Sequence, residues 1–454
     1  MAKYLKLFNN HSQYIAFTQT KDFVKPNVSH CIQENEVHYN PYDYSDRYLT
    51  FIAREDGTFK FEGNNIKYSI DGGDTWTELV DGTNTPTVTS GAKIMWKASG
   101  LTNTHAQVGG EIDTETGEPV VEEIGIGHFL STGQYDVEGN IMSLVYEDDF
   151  IGNNDLTLEW GQFSYLFYNN VDLINAKNLS LPATTLSVFC YGKMFSNCTS
   201  LVSGPKLPAT TLAGWCYADM FAGTNVLPDC TNIDFTSETV VASGGLARLF
   251  SSTKVTDQDL MRILPKNGND RYCLPATTLA EDCYYEMFYD CTNLTTAPQL
   301  PATILAEMCY DGMFRNCASL TTAPQLPATT LATYCYSEMF GGCTSLTTPP
   351  ELHATTLADG CYSGMFHGCT SLTTAPELPA TTLVSNCYNE MFRGCTNLNY
   401  IKAMFTTTPS TSYTWNWVSG VASNGTFVKN SSAQWNVRGN HGIPNNWTIE
   451  TASV

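Results

Sequence analysis

Apolar positions in the second half of the chain fall into one fixed register. Between residues 181 and 400 the text L-P-A-T-T-L-x-x-x-C-Y-x-x-M-F-x-x-C-T-S-L-T-T-A-P recurs. LPATTL stands at 181, 207, 274, 326 and 378, LPATIL at 300 and LHATTL at 352. The spacing is 26 residues within each unbroken run, from 181 to 207 and from 274 through 378. Self-similarity at this period marks a stacked array, because one unit is too short to bury its own apolar face.

Counted from the first Cys, Met (+4), Phe (+5) and the second Cys (+8) share one face of a helix. This predicts a short helical turn per unit, with Cys361, Met365, Phe366 and Cys369 pointing inward. The Thr-Ser-Leu-Thr-Thr segment is β-branched and predicts a short strand, which proline then stops. The flanks keep a weaker version of the pattern. Residues 163–181 retain Leu166-Phe167 and Leu173 but carry Asn170 in the second Cys slot, as an entry cap would. Residues 246–256 retain Leu249-Phe250 with Thr253 in that slot, an eroded repeat inside a departure from the pattern at 224–273.

Upstream the period changes to two. YLTFIA, TFKFE, IKYSI, TWTEL, TPTVT and AKIMWKA, over residues 48–98, read as short strands of a β-sandwich. DGT (56–58), GNN (63–65) and DGG (71–73) supply the turns. Ser69-Ile70-Asp71-Gly72-Gly73-Asp74-Thr75-Trp76 resembles an Asp box, whose logic is local. The carboxylate binds turn amides, Gly permits positive φ, and Trp packs beneath. A single box supports a hairpin far more than a glycosidase, and no carboxylate pair for glycoside hydrolysis can be assigned. Residues 107–124 are acidic and Gly-rich, an exposed loop or long hairpin. Asp113 and Glu115 raise the question of calcium there, and a solvated loop is the simpler reading. Residues 1–45 are rich in Tyr, Phe and Leu outside the sandwich pattern and read as a docking arm.

The chain has 16 Cys, and the repeat explains most of them. Cys190, Cys198, Cys283, Cys291, Cys309, Cys317, Cys335, Cys343, Cys361, Cys369, Cys387 and Cys395 occupy the two periodic slots. A bridge within one unit is excluded if the segment is helical. Eight helical residues span about 12 Å, whereas bridged Cα atoms lie within about 7 Å. Zinc is disfavoured by the spacing and by the slot between the cysteines. That slot holds Ser196, Tyr289, Arg315, Gly341, His367 and Arg393, so its histidine does not repeat. The cysteines therefore read as two internal thiol columns, with no metal and no cofactor. The variable slots are the candidate ligand-facing positions: Trp215 and Tyr334 before the first Cys, and Tyr289, Arg315, His367 and Arg393 after Met-Phe.

Charge narrows the partners. The formal net charge is −22, which argues against nucleic acid, since phosphate binding needs clustered Lys and Arg. Residues 274–400 hold eleven Asp plus Glu and two Arg, near −9, which suits a glycan or a basic protein better than an acidic polymer. No apolar run long enough for a membrane helix occurs. The first residues lack the apolar core of a secretory signal, so synthesis and folding in a cytoplasm are expected. No catalytic triad, P-loop or GxGxxG arrangement stands out, and no enzymatic activity is expected.

The text MF-x-x-C-T-S-L-T-x-A-P-x-L-P-A-T-T-L resembles the BspA-like leucine-rich repeats carried by gut Bacteroidales and their phages. TWNWVSGVASNGTF (414–427) and GIPNNWTIE (442–450) are similar to the C-terminal closure of such chains. The resemblance implies a multidomain α+β protein. Its parts are the arm at 1–45, an immunoglobulin-like β-sandwich at 46–150, a leucine-rich-repeat solenoid at 151–403 and a C-terminal cap at 404–454. Arm, β-domain and array together resemble virion appendage proteins of such phages, including the crAss-like group. That implies a fibre or appendage assembled in the host cytoplasm. Other virion proteins would be its partners through 1–45, with a homo-oligomer such as a trimer allowed, and a host-surface glycan or protein would be its ligand. The alternative is a bacterial cell-surface adhesin, and the third reading is a glycan-active enzyme using the Asp-box region.

Overall fold

The computed structural model describes residues 44–63, 66–99, 108–112, 119–121, 126–156, 160–224, 242–266 and 272–452, with backbone alone at 108–112 and 119–121. All of the docking arm except its last two residues, together with Asp113 and Glu115, lies outside the described residues. Regular structure is mostly strand, with few short helices and no closed barrel among the described residues. No helix among them is long and apolar enough to cross a membrane.

The strands are β1 (Leu49–Ala53), β2 (Phe59–Gly63), β3 (Ile66–Ser69), β4 (Thr77–Leu79), β5 (Lys93–Lys97), β6 (Val108–Ile112), β7 (Pro119–Val121), β8 (Gly127–Ser131) and β9 (Tyr135–Asn140). Four more follow: β10 (Leu173–Ser180), β11 (Tyr400–Ala403), β12 (Thr426–Lys429) and β13 (Thr448–Thr451). A six-stranded sheet runs β10-β9-β1-β5-β3-β4, and β2 pairs with β8 in a second sheet. Phe51, Phe59, Trp96, Phe129 and Tyr135 pack together from both sheets. Alternation along β1 and β5 puts those rings inward, as period two requires. TPTVT (85–89) is not a strand. It makes a single bridge, Gly57 to Val88, and Asn84 just before it bridges Lys60. The acidic 107–124 segment contains a hairpin, β6 with β7.

The sheet crosses the boundary expected at residue 150. β10 lies in the repeat half, yet it pairs in parallel with β9, and Asn175 then bridges Ser203 of the next repeat. Buried apolar side chains form one cluster from Leu49 to Trp447. β8 also acts as a rung for the array to stand on. Phe129 stacks on Phe167 at 5.8 Å, and Asn170 Nδ2 donates to the Phe129 carbonyl at 3.0 Å. Asn170, standing in the second Cys slot, thus makes the bond to the preceding layer's backbone that the thiols make further along.

The Cys-Tyr-x-x-Met-Phe-x-x-Cys segment is not helical, which corrects the sequence expectation. Its amides split into two alternating sets. Tyr284, Glu286, Phe288 and Asp290 donate to the carbonyls of Cys309, Asp311, Met313 and Arg315 in the next repeat. Tyr285, Met287, Tyr289 and Cys291 donate three residues back, within their own turns. An α-helix would spend every amide internally, four residues back, and leave the neighbouring repeat without partners. Every fourth residue takes positive φ, for example Tyr334 (50°), Glu338 (48°) and Gly342 (73°). The segment is a rung of successive turns with a period of four. The Thr-Ser-Leu-Thr-Thr segments likewise make only single parallel bridges, such as Thr296 to Thr322 and Thr322 to Thr348.

In each group of four, two consecutive residues point inward and two outward. Cys309, Tyr310, Met313, Phe314 and Cys317 are all fully buried, as are their counterparts in neighbouring rungs. The rings stack nearly parallel: Phe314 on Phe340 at 5.8 Å and Phe340 on Phe366 at 5.7 Å, with Tyr310 on Tyr336 at 5.9 Å in the next column. The second-column thiols have a bond of their own. Cys317, Cys343 and Cys369 Sγ each donate at 3.1 Å to the Phe carbonyl of the preceding rung. At the far end β11, β12 and β13 pair in parallel. Trp417, Trp435 and Trp447 close the core, each indole N–H bonded to a carbonyl.

These columns separate two kinds of substitution. Phe340→Ala removes a ring stacked on both sides and is expected to cost about 3–5 kcal/mol in chemical denaturation. Tyr310 and Tyr336 hydroxyls are buried without a hydrogen-bond partner, so Tyr310→Phe is expected to leave stability unchanged or raise it by about 1 kcal/mol. A loss of stability in Tyr310→Phe would show that the hydroxyl has a partner.

Candidate functional site

The outward pairs of successive rungs build one continuous face, here the turn face. Its raised features follow from the positive-φ positions. Such a conformation costs an ordinary side chain about 1–2 kcal/mol, and Gly nothing. Gly244, Gly360, Gly364 and Gly368 occupy it without penalty, yet Phe189, Trp215, Met308 and Tyr334 occupy it too.

Tyr334 and Trp215 each lie across a glycine of the next rung. A Cβ added at Gly360 would fall 2.1 Å from the Tyr334 ring, and one added at Gly244 would fall 2.4 Å from the Trp215 ring. The same construction holds one column over. The stem of Glu286 covers Gly312, and that of Glu338 covers Gly364. Each glycine is required by the side chain that crosses it.

The six residues expected to face a ligand all belong to this face. Trp215 and Tyr334 form the two aromatic shelves. Tyr289 receives the Arg315 guanidinium over its ring at 5.8 Å and accepts from Asn316 Nδ2 at 3.4 Å. Arg315 reaches Glu338 at 2.8 Å and Glu286 at 3.9 Å, and so ties three rungs together. His367 leans back over Gly341 of the preceding rung. Arg393 is exposed and pairs with Glu390 of its own rung at 2.7 Å. The structure gathers Tyr334, Arg315 and His367 on neighbouring rungs, while Trp215 stands four rungs earlier in the stack.

The carboxylates of this face are not among the residues that sequence reasoning singled out. Asp219 makes a two-pronged pair with Arg248, 2.9 Å at each contact, and Glu286 and Glu338 flank Arg315. In the sequence they look like solubilising charge. The signal that would have found them is their slot, three residues after the first Cys, where Asp or Glu alternates with Gly. Asp311, one slot earlier, is pushed well above the ordinary carboxyl value of 3.8. Burial is the main cause, with Glu338 and Glu286 adding to it, while Ser337 and Arg315 pull the other way.

The thiols lie beneath this face and are chemically quiet. Burial pushes Cys198, Cys216, Cys291 and Cys395 up to about 12, far from the thiolate range that metal binding or nucleophilic attack requires. Among the described residues no group of three or more His, Cys, Asp or Glu is placed to hold a metal ion. The Asp-box segment is a hairpin, β3 with β4. Asp71 accepts from the Thr75 amide and hydroxyl and from Ser69 Oγ. Trp76 packs against Tyr48 and under Lys97, so the carboxylate is spent on the turn.

No known protein family, no curated protein and no solved structure matches the chain.

Two measurements check this description. Asp311 has a raised pKa when folded, so the unfolded chain ionises first as pH rises above about 4 and stability falls until the folded group ionises. Asp311→Asn is therefore expected to be more stable than the parent at about pH 7, with the difference closing toward about pH 4 in urea titrations. A difference independent of pH would show that Asp311 is not held neutral by its surroundings. Separately, a mild thiol reagent is expected to leave the array cysteines unlabelled until denaturant is added. Rapid labelling of most of them in the native protein would contradict the buried columns.

Proposed function

We propose that the chain is a non-enzymatic phage virion structural protein, a fibre or appendage of the head or tail. In this reading residues 1–45 dock on other virion proteins. An immunoglobulin-like β-domain at 46–150 acts as spacer or oligomerisation module. The repeats at 151–403 form a leucine-rich-repeat-type solenoid, closed by 404–454, that presents the turn face to a host-surface glycan or protein. The virion assignment rests on the likeness of the repeats and of the overall layout to such appendages.

One observation carries the binding role. Inward positions of the rungs repeat the same few residues, while the outward slots vary between Gly, Glu, Asn, Tyr, Trp, His and Arg on an unchanged backbone. A scaffold that holds variable side chains in fixed places is suited to recognition. Buried thiols far above neutral pKa add support for binding over covalent catalysis.

Mass spectrometry of purified particles tests the assignment. The chain is expected among the virion proteins, and a version lacking 1–45 is expected to be absent from particles. Its recovery from a bacterial surface fraction, with none in particles, would favour the cell-surface adhesin instead.

A further inference from the structure

We infer that the turn face is a carbohydrate site for neutral oligosaccharides, with Tyr334 and Trp215 as its two stacking platforms. The inference deepens the reading of this face as a recognition surface and rests on it. Three observations lead to the ligand class.

The first is that the backbone has nothing to offer a peptide. Along each rung the outward positive-φ residues spend their amides on the next rung: Tyr334 on Asp359, Glu338 on Ser363, and Gly342 on His367. A peptide that added itself as a strand would need such groups exposed. Recognition on this face must come from side chains.

The second is the charge. Arg248, Arg315 and Arg393 are each paired with carboxylates of the face itself. With Lys193 the face carries four cations, and Asp219, Asp282, Glu286, Asp290, Glu338 and Glu390 outnumber them. An anionic polymer would meet this surplus of like charge, which costs binding energy. A neutral, hydroxyl-rich ligand meets acceptor oxygens instead.

The third is the way the aromatic residues are held. Tyr334 and Trp215 share one slot, both at positive φ, and both rest on a glycine of the next rung. Each also has a carboxylate paired with arginine four residues on: Glu338 with Arg315, and Asp219 with Arg248. One side of each ring is thus seated on backbone in a place where Gly would be the cheaper residue. At Tyr334 an apolar ring beside a partly exposed carboxylate suits a sugar, whose C–H face packs on the ring while its hydroxyls donate to Glu338. At Trp215 the acid is buried with both oxygens accepting from Arg248, and the ring alone is offered. The seated ring occurs twice, so the ligand would be an oligosaccharide or two separate sugar units.

The full chain should be titrated with a panel of neutral oligosaccharides and their sialylated or sulfated counterparts, by calorimetry and by Trp fluorescence. Neutral members are expected to bind, and anionic ones to bind more weakly. Tyr334→Gly and Trp215→Gly place at those positions the residue best suited to positive φ, so loss of the ring does not threaten the fold. Each is expected to weaken binding at least about tenfold, with thermal unfolding confirming an intact array. The inference is overturned if no neutral sugar binds, if anionic sugars bind more tightly, or if both variants bind like the parent. Particle assays separate this from the wider reading. Variant particles that still adsorb to cells defeat the sugar site and leave host attachment standing. Sugar binding by a chain absent from particles defeats the virion assignment and leaves the site standing.

Discussion

Everything in the repeat half depends on how the rungs divide their amides. Half of them close local turns, and half cross to the neighbouring rung. Neither set alone is a regular element, and together they satisfy the buried backbone. The division forces a left-handed residue at every fourth position. That in turn fixes which side chains go inward, where glycine is needed and where a large residue must lie flat. The ring stacks, the thiol-to-carbonyl bonds and the outward face are all consequences of that one arrangement.

The period and the inward set were legible in the sequence because they rest on apolar spacing. The element type was not. Spacings of four, five and eight fit a helix of 3.6 residues per turn nearly as well as a turn stack of four. The discriminating residues were the outward ones. Glycine three and seven places after the first Cys, as at Gly364 and Gly368, is costly in a helix and natural at positive φ. Asn170 and Thr253 stood out in the sequence because they replace a Cys in a fixed slot, and each bonds a backbone carbonyl there. The boundary at residue 150 looked sharp because the hydrophobic period changes there. β10 pairs across it all the same, since strand pairing is a long-range contact that local pattern does not encode.

The turn face was half legible. Its aromatic and arginine residues were noticed as departures from the repeat. Its acids were absorbed into net charge, because their meaning lies in pairing between rungs. Arg315 with Glu338, and Arg248 with Asp219, are 23 and 29 residues apart in the chain and adjacent in space. The glycines that carry Tyr334 and Trp215 were invisible for the same reason, each being required by a side chain one repeat away.

The degenerate rung at Gly244–Thr253 shows what this scheme permits. Its amides still reach the next rung, with Gly244 bonded to Glu281, Arg248 to Tyr285 and Phe250 to Met287, although the chain between them is longer than in a regular repeat. Contact between rungs is therefore indifferent to how much chain separates them. New sequence can enter between rungs, and whole units can be duplicated or lost, without new interface chemistry. The reach of the array is thus a heritable variable that changes in unit steps while each rung keeps its own outward residues.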